Sequence, residues 1–196
     1  MTTHALKKFK TTQELGKWYD EKYKEMGGCW LTSPEDCKRH IDFIGLEKSR
    51  KFLLDIGSGS GDFTAEAHKL VITCGWEMSF EAIRLAKEKY PDPLFLYLDI
   101  EKDSPISKAF DYITSIGSIE HCIDIDKALK HCRRWLKDDG LLYVFAPNEE
   151  WNHFDQPQEQ THTDEEWIKI FKKAGFRIIK HERWNDSTAF LMEKSF

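Results

Sequence analysis

Residues 53–63 read LLDIGSGSGDF, an apolar run that ends on Asp55-Ile56 and breaks into Gly57, Gly59 and Gly61. A short apolar run closing on glycines reads as a buried strand followed by a sharp turn. Glycine allows the backbone to reverse there, and it lets a ligand approach where a Cβ would collide. The remainder of the chain sets the fold class. Val71–Trp76, Leu94–Leu98, Tyr112–Ile116 and Leu141–Ala146 are further apolar runs of strand length, and helical patterns lie between most of them. Strands alternating with helices predict an α/β fold, a doubly wound and mostly parallel sheet covered on both faces.

The helices announce their ends. Ser33-Pro34 and Ser79 open two of them, and Asp124 opens a third, in which Ile125, Ala128, Leu129, Cys132, Trp135 and Leu136 share one face. Asp138-Asp139-Gly140 is expected to end that third helix. Thr163-x-x-Glu166 is a capping box, and Gly175 follows the helix it starts. Two runs, 176–183 and 188–194, joined by Asn185-Asp186, predict a terminal hairpin that adds an antiparallel strand. Ahead of the sheet, Leu15, Trp18, Tyr19 and Tyr23 recur at helical spacing before Gly27-Gly28. The expected organisation is a helical cap over residues 1–48 and one compact unit over 49–196.

Composition narrows the function classes. The 196 residues suffice for one full core, and the formal charge of -5 argues against a nucleic-acid surface. Lys7-Lys8-Phe9-Lys10 and Arg133-Arg134 sit among acids and read as solvated surface. Five cysteines with no C-x-x-C pair point to reduced, mostly buried thiols, not to disulfides or zinc. With no signal-like start and no long apolar run, the expectation is a cytoplasmic protein with no membrane partner, a monomer or homodimer.

The glycine spacing is G-x-G-x-G, one residue short of the dinucleotide fingerprint, and Glu77 ends the second strand where a carboxylate can accept both hydroxyls of a ribose. Asp55 and Asp62 would repel a pyrophosphate beside the loop and suit a cation. The loop and the acid together favour an adenosine ligand without phosphates.

At this point the sequence resembles the class I S-adenosylmethionine-dependent methyltransferases. The resemblance rests on LLDIGSGSGDF, the acid in CGWEMSFEAIRLAKEKY, YLDI around Asp99, FDYITSIGSIEHC and LKDDGLLYVFAPN, in that order. It implies a Rossmann-like seven-stranded sheet with one antiparallel strand. It also implies S-adenosylmethionine as cofactor and S-adenosylhomocysteine as product. By the same resemblance Asp55, Gly57 and Gly59 line the methionine and ribose side, and Glu77 binds the ribose hydroxyls. Met78 would pack on adenine, Asp99 and Ile100 would read its amino edge, and Ile116 would lie along the methionyl arm. The stretch from Gly61 to Glu77 is shorter than the family's usual, so the first crossover helix or its loop is expected to be trimmed.

Glu120-His121, just past the fourth strand, is the candidate catalytic pair; His121 would act as base or substrate ligand, or else pack beneath the next helix. The long polar and aromatic stretch 147–162 offers Trp151, His153 and His162 as a substrate wall, with a solvated excursion as the alternative. Tyr19 and Tyr23 would form a lid over the site or pack in the core. No third ligand is spaced to make His153 and His162 a metal site. The expected acceptor is a small molecule. A protein acceptor, a non-catalytic cofactor-binding subunit and, less well matched by the glycines, a nicotinamide-dependent oxidoreductase are the other readings.

Overall fold

The computed structural model describes residues 8–28, 30, 32–102, 104–152 and 156–195. Seven strands form one sheet in the order β3-β2-β1-β4-β5-β7-β6. They are β1 Phe52–Ile56, β2 Ile72–Glu77, β3 Leu94–Tyr97, β4 Phe110–Ile116, β5 Leu136–Pro147, β6 Phe176–Trp184 and β7 Ser187–Lys194. The pairs from β3 through β5 are parallel, while β7 runs antiparallel to both β5 and β6. This is the Rossmann-like sheet with its antiparallel strand that the sequence predicts. Asn185, at φ 60°, sits in the hairpin turn between β6 and β7.

The helices are α1 Thr12–Met26, α2 Pro34–Ile44, α3 Asp62–His68, α4 Phe80–Lys89, α5 Ile125–Trp135 and α6 Asp164–Lys173. The side chains of Ser33, Ser79, Asp124 and Thr163 each accept the capping N–H expected of them. The first crossover helix, α3, is short at seven residues. One face of the sheet is packed by Trp135, Trp167, Phe171, Phe176 and Phe190, all at most 1% exposed, and the other by Phe43, Phe63, Tyr143 and Trp184.

Two local expectations need correction. Asp138-Asp139-Gly140 does not end α5: the helix stops at Trp135, and Leu136, fully buried, already pairs with Phe110 as the start of β5. The physical reason is long-range pairing plus burial, which override the local turn signal. Arg133 and Arg134 are not merely solvated, since they donate to the carbonyls of Gly175, Ser195 and Ser104. Asp164, in the first turn of α6, also accepts from Arg183 and Thr188. Cys37, Cys122 and Cys132 are buried, Cys74 is half-buried, and all four are free. No described helix is long and apolar enough to cross a membrane.

Candidate active site

The chain winds outward from β1 to β3 in one direction and from β4 onward in the other, so the strand order reverses between β1 and β4. Ligands of open α/β sheets settle beyond the carboxyl ends of the strands at such a point. A cavity open to solvent lies there. Its walls come from the loop after β1, the end of β2, the segments after β3 and β4, and α1.

The loop after β1 forms as its glycines require. Gly57, Gly59 and Gly61 have φ of 67°, 52° and 87°, the left-handed region that glycine enters without strain. A Cβ on Gly57 would stand 2.3 Å from Ser118 Oγ, and one on Gly59 would stand 2.8 Å from the Tyr23 hydroxyl. The loop is therefore pinned between the segment after β4 and the first helix. Ser58 Oγ is buried at the cavity wall without a hydrogen-bond partner.

Glu77 ends β2 with both oxygens oriented by backbone. Gly59 N–H donates to Oε2 at 3.0 Å, and the N–H groups of Met78 and Ser79 donate to Oε1 at 2.7 and 2.9 Å. Burial raises its carboxyl above the usual range and these donors pull it back. Asp55 accepts from Thr64 at 2.6 Å and Thr114 at 2.8 Å, and burial still lifts its carboxyl to about 6. Asp62, expected to place free negative charge beside the ligand, instead accepts from Lys89 and Tyr90, each 2.8 Å or closer. A cation 27 residues away, invisible to local reading, takes up that charge.

Of the sequence-predicted residues, Asp55, Gly57, Gly59, Glu77, Met78, Ile100, Ile116, Tyr19, Tyr23 and His121 line this one cavity. Asp99 is buried behind it, where it accepts from Glu101 N–H at 2.9 Å. Glu120 is buried behind His121. Trp151 and His162 are not among the lining residues; His162 packs edge-on against Trp167 at 4.7 Å. His153 lies outside the described residues.

Sequence reasoning missed Trp30, Glu101, Cys122 and Gln156, which also line the cavity. Glu101, two residues past Asp99, had a readable signal. Gln156 had only its membership of the long stretch 147–162.

His121 sits in a short 3-10 turn, Ile119–His121, just after β4. Its Nδ1 is 3.0 Å from the Pro157 carbonyl, which can only accept, so Nδ1 carries a hydrogen. Nε2 is 3.7 Å from Glu120 Oε1. Glu120 Oε2 is buried without a hydrogen-bond partner, and burial pushes this carboxyl up to about 8. Segment 156–160 is laced to its surroundings: Tyr19 donates to Gln156 Oε1 at 3.3 Å, Gln160 N–H to the Glu120 carbonyl at 3.2 Å, and Gln158 to the Phe9 carbonyl at 2.9 Å. Asp20 of α1 accepts from Ser79 Oγ and Glu81 N–H, which ties the first helix to the start of α4.

A methyltransferase-domain family model matches residues 29–181, most of the chain. The chain belongs to the class I S-adenosylmethionine-dependent methyltransferases. Among curated relatives, a demethylmenaquinone methyltransferase of Chlorobaculum tepidum is 28% identical over 114 residues, 53% of this chain and 47% of the relative. The chain spans about half the length of the curated relatives it matches. Two solved structures share the fold. A Haloferax volcanii methyltransferase in complex with the Trm112 activator gives a TM-score of 0.75 at 16% identity, covering 95% of this chain and 98% of that one. The [4+2]-cyclase SpnF gives 0.77 at 16%, covering 97% and 98%.

The residues present fit the family's cofactor. The glycine loop leaves room where side chains would fill it, the buried Ser58 Oγ has no hydrogen-bond partner at that wall, and Glu77 holds two oriented carboxylate oxygens at the cavity.

Proposed function

We propose that the protein is a methyltransferase acting on a small-molecule acceptor, with S-adenosylmethionine as donor. The observation that carries the reading is that the glycine loop, Glu77 and His121 line one cavity at the switch point of the sheet. Glu77 holds the ribose hydroxyls, Met78 and Ile100 flank the adenine with Asp99 behind them, and Asp55, Gly57, Gly59 and Ile116 border the methionine arm. When bound, S-adenosylmethionine supplies an electrophilic methyl group on a sulfonium, so the protein's task is mainly alignment.

His121 is the proton acceptor in this reading. The Pro157 carbonyl holds a hydrogen on Nδ1, so in the neutral ring Nε2 is the nitrogen that would take a proton from an acceptor in the cavity. Glu120, neutral at pH 7 with its carboxyl near 8, is close enough to Nε2 to give up its own proton as His121 becomes charged. Tyr23 stands over the glycine loop, and Tyr19 beside it in the cavity wall helps to restrict water. Calorimetric titration tests the donor site: micromolar S-adenosylhomocysteine binding supports it, and binding of NAD in its place sinks it.

A second reading, a cofactor-binding subunit that works beside a partner chain, has one observation in its favour. Strand β3 is a sheet edge, with Leu94, Leu96 and Tyr97 exposed and Phe80 stacked on Tyr97 at 4.1 Å. Such an edge offers backbone groups and apolar surface to an added strand. The Haloferax relative is described as a complex with an activator. Under this reading the isolated chain binds S-adenosylhomocysteine but turns over no small acceptor.

A further inference from the structure

The charge of the cavity and the rings at its α1 side restrict what the acceptor can be. Among the described residues, the cavity is lined by four carboxyl groups, Asp55, Asp62, Glu77 and Glu101, and by no lysine or arginine. Glu120 is buried just behind His121. An acceptor bearing a carboxylate or phosphate would enter this field without a countercharge, which is costly in a partly desolvated site.

The wall formed by α1 and the segment after it is aromatic. Tyr19, Tyr23 and Trp30 all line the cavity, and Trp30 stands nearly perpendicular to both tyrosines, at 5.7 Å and 5.5 Å between centroids and 78° between planes in each case. Tyr19 is deeply desolvated: burial first, and then nearby carboxyl groups led by Glu77, raise its phenol well above the ordinary range. Aromatic rings in a negative, partly dehydrated field favour a cation over a neutral group of the same shape. Tyr19 also lies edge-on to His121, 6.2 Å between centroids, so a ligand against these rings is beside the imidazole.

We infer that the acceptor is an amine, methylated on nitrogen, whose positive charge is held by Tyr19, Tyr23 and Trp30 in a cavity that no lysine or arginine lines among the described residues. The inference rests on the methyl-transfer reading above. An entering primary or secondary ammonium gives one proton to His121 Nε2. The freed nitrogen lone pair then forms the N–C bond while the S–C bond breaks with its electron pair left on sulfur, and the positive charge returns to nitrogen. The rings hold a cation before and after the step, and the base is needed only between them.

The test compares two isosteric probes on the wild-type protein loaded with S-adenosylhomocysteine: choline, which carries a quaternary ammonium, and 3,3-dimethyl-1-butanol, its uncharged analogue. Calorimetry should show choline binding about tenfold tighter, the size expected of a partly desolvated cation–π site. Trp30→Ala should bring that ratio close to one, while Tyr19→Phe, which keeps the ring, should preserve it. Equal binding of the two probes in loaded wild-type protein overturns the amine assignment and leaves the methyltransferase reading standing. Failure of S-adenosylhomocysteine itself to bind overturns both, so the two failures are told apart in one titration series.

Discussion

Glu120→Gln probes a buried carboxyl whose Oε2 has no hydrogen-bond partner among the described residues. Burial lifts this group from 4.5 to about 8, so the folded state keeps a proton that the unfolded chain releases. Where the native state binds more protons, stability falls as pH rises. The contribution is complete below about pH 4.5 and is lost as pH climbs through about 8. One proton held by the native state alone is worth about 1.4 kcal/mol for each pH unit crossed, so between pH 5 and pH 7 this group removes about 2.5 kcal/mol of stability. Glutamine is isosteric and cannot ionise. Urea unfolding of wild type and variant at pH 5 and pH 7 should therefore show the difference between the two proteins moving by about that amount, with the variant gaining at pH 7. A variant whose stability tracks the wild type in parallel across this window would refute the reasoning, because Glu120 would then be solvated or paired.

Glu77→Ala should weaken S-adenosylhomocysteine binding by about ten- to a hundredfold, the worth of charge-assisted bonds to two hydroxyls; unchanged affinity by calorimetry would remove Glu77 from the donor site. Gly57→Ala places a Cβ 2.3 Å from Ser118 Oγ at a positive φ and should cost more than about 2 kcal/mol, read as a lower melting temperature. His121→Ala should lower turnover with little change in S-adenosylhomocysteine affinity; a loss confined to thermal stability would reduce His121 to a packing residue. His40, buried against Tyr143, Phe145 and Trp184, is held down at about 4 from 6.5. Its contribution is present above about pH 6.5 and is lost as pH falls through about 4, worth up to about 3 kcal/mol. His40→Phe should flatten that acid limb in a denaturation series, and an identical limb would count against the buried neutral imidazole.

What the sequence disclosed was local. The three glycines after β1, the caps at Ser33, Ser79, Asp124 and Thr163, and the hairpin at Asn185-Asp186 each encode structure within a few residues, and each was legible. What stayed hidden depended on partners far along the chain. Leu136 joins β5 because Phe110 pairs with it, and Asp62 is neutralised by Lys89. Gln156 reaches the cavity through Tyr19, 137 residues earlier, and Trp30 does so by folding back on the rings of α1. Strand existence follows from periodicity, whereas the composition of a pocket follows from which loops meet above the sheet.

The carboxyl groups around the cavity divide by what holds them, and the division places the proton chemistry. Asp55 is held by two threonine hydroxyls, Glu77 by three backbone N–H groups, and Glu101 by the N–H groups of Ile123 and Asp124 at 2.8 and 2.9 Å. Each is an acceptor that folding has already oriented, suited to hold a ligand or a loop and poorly suited to trade protons. Glu120 differs: among the described residues one of its oxygens lacks a hydrogen-bond partner, burial pushes its carboxyl up to about 8, and His121 Nε2 lies 3.7 Å away. Under the proposed function, the three acids held by hydrogen bonds serve structure and binding, and proton transfer falls to His121 with the protonated Glu120 beside it.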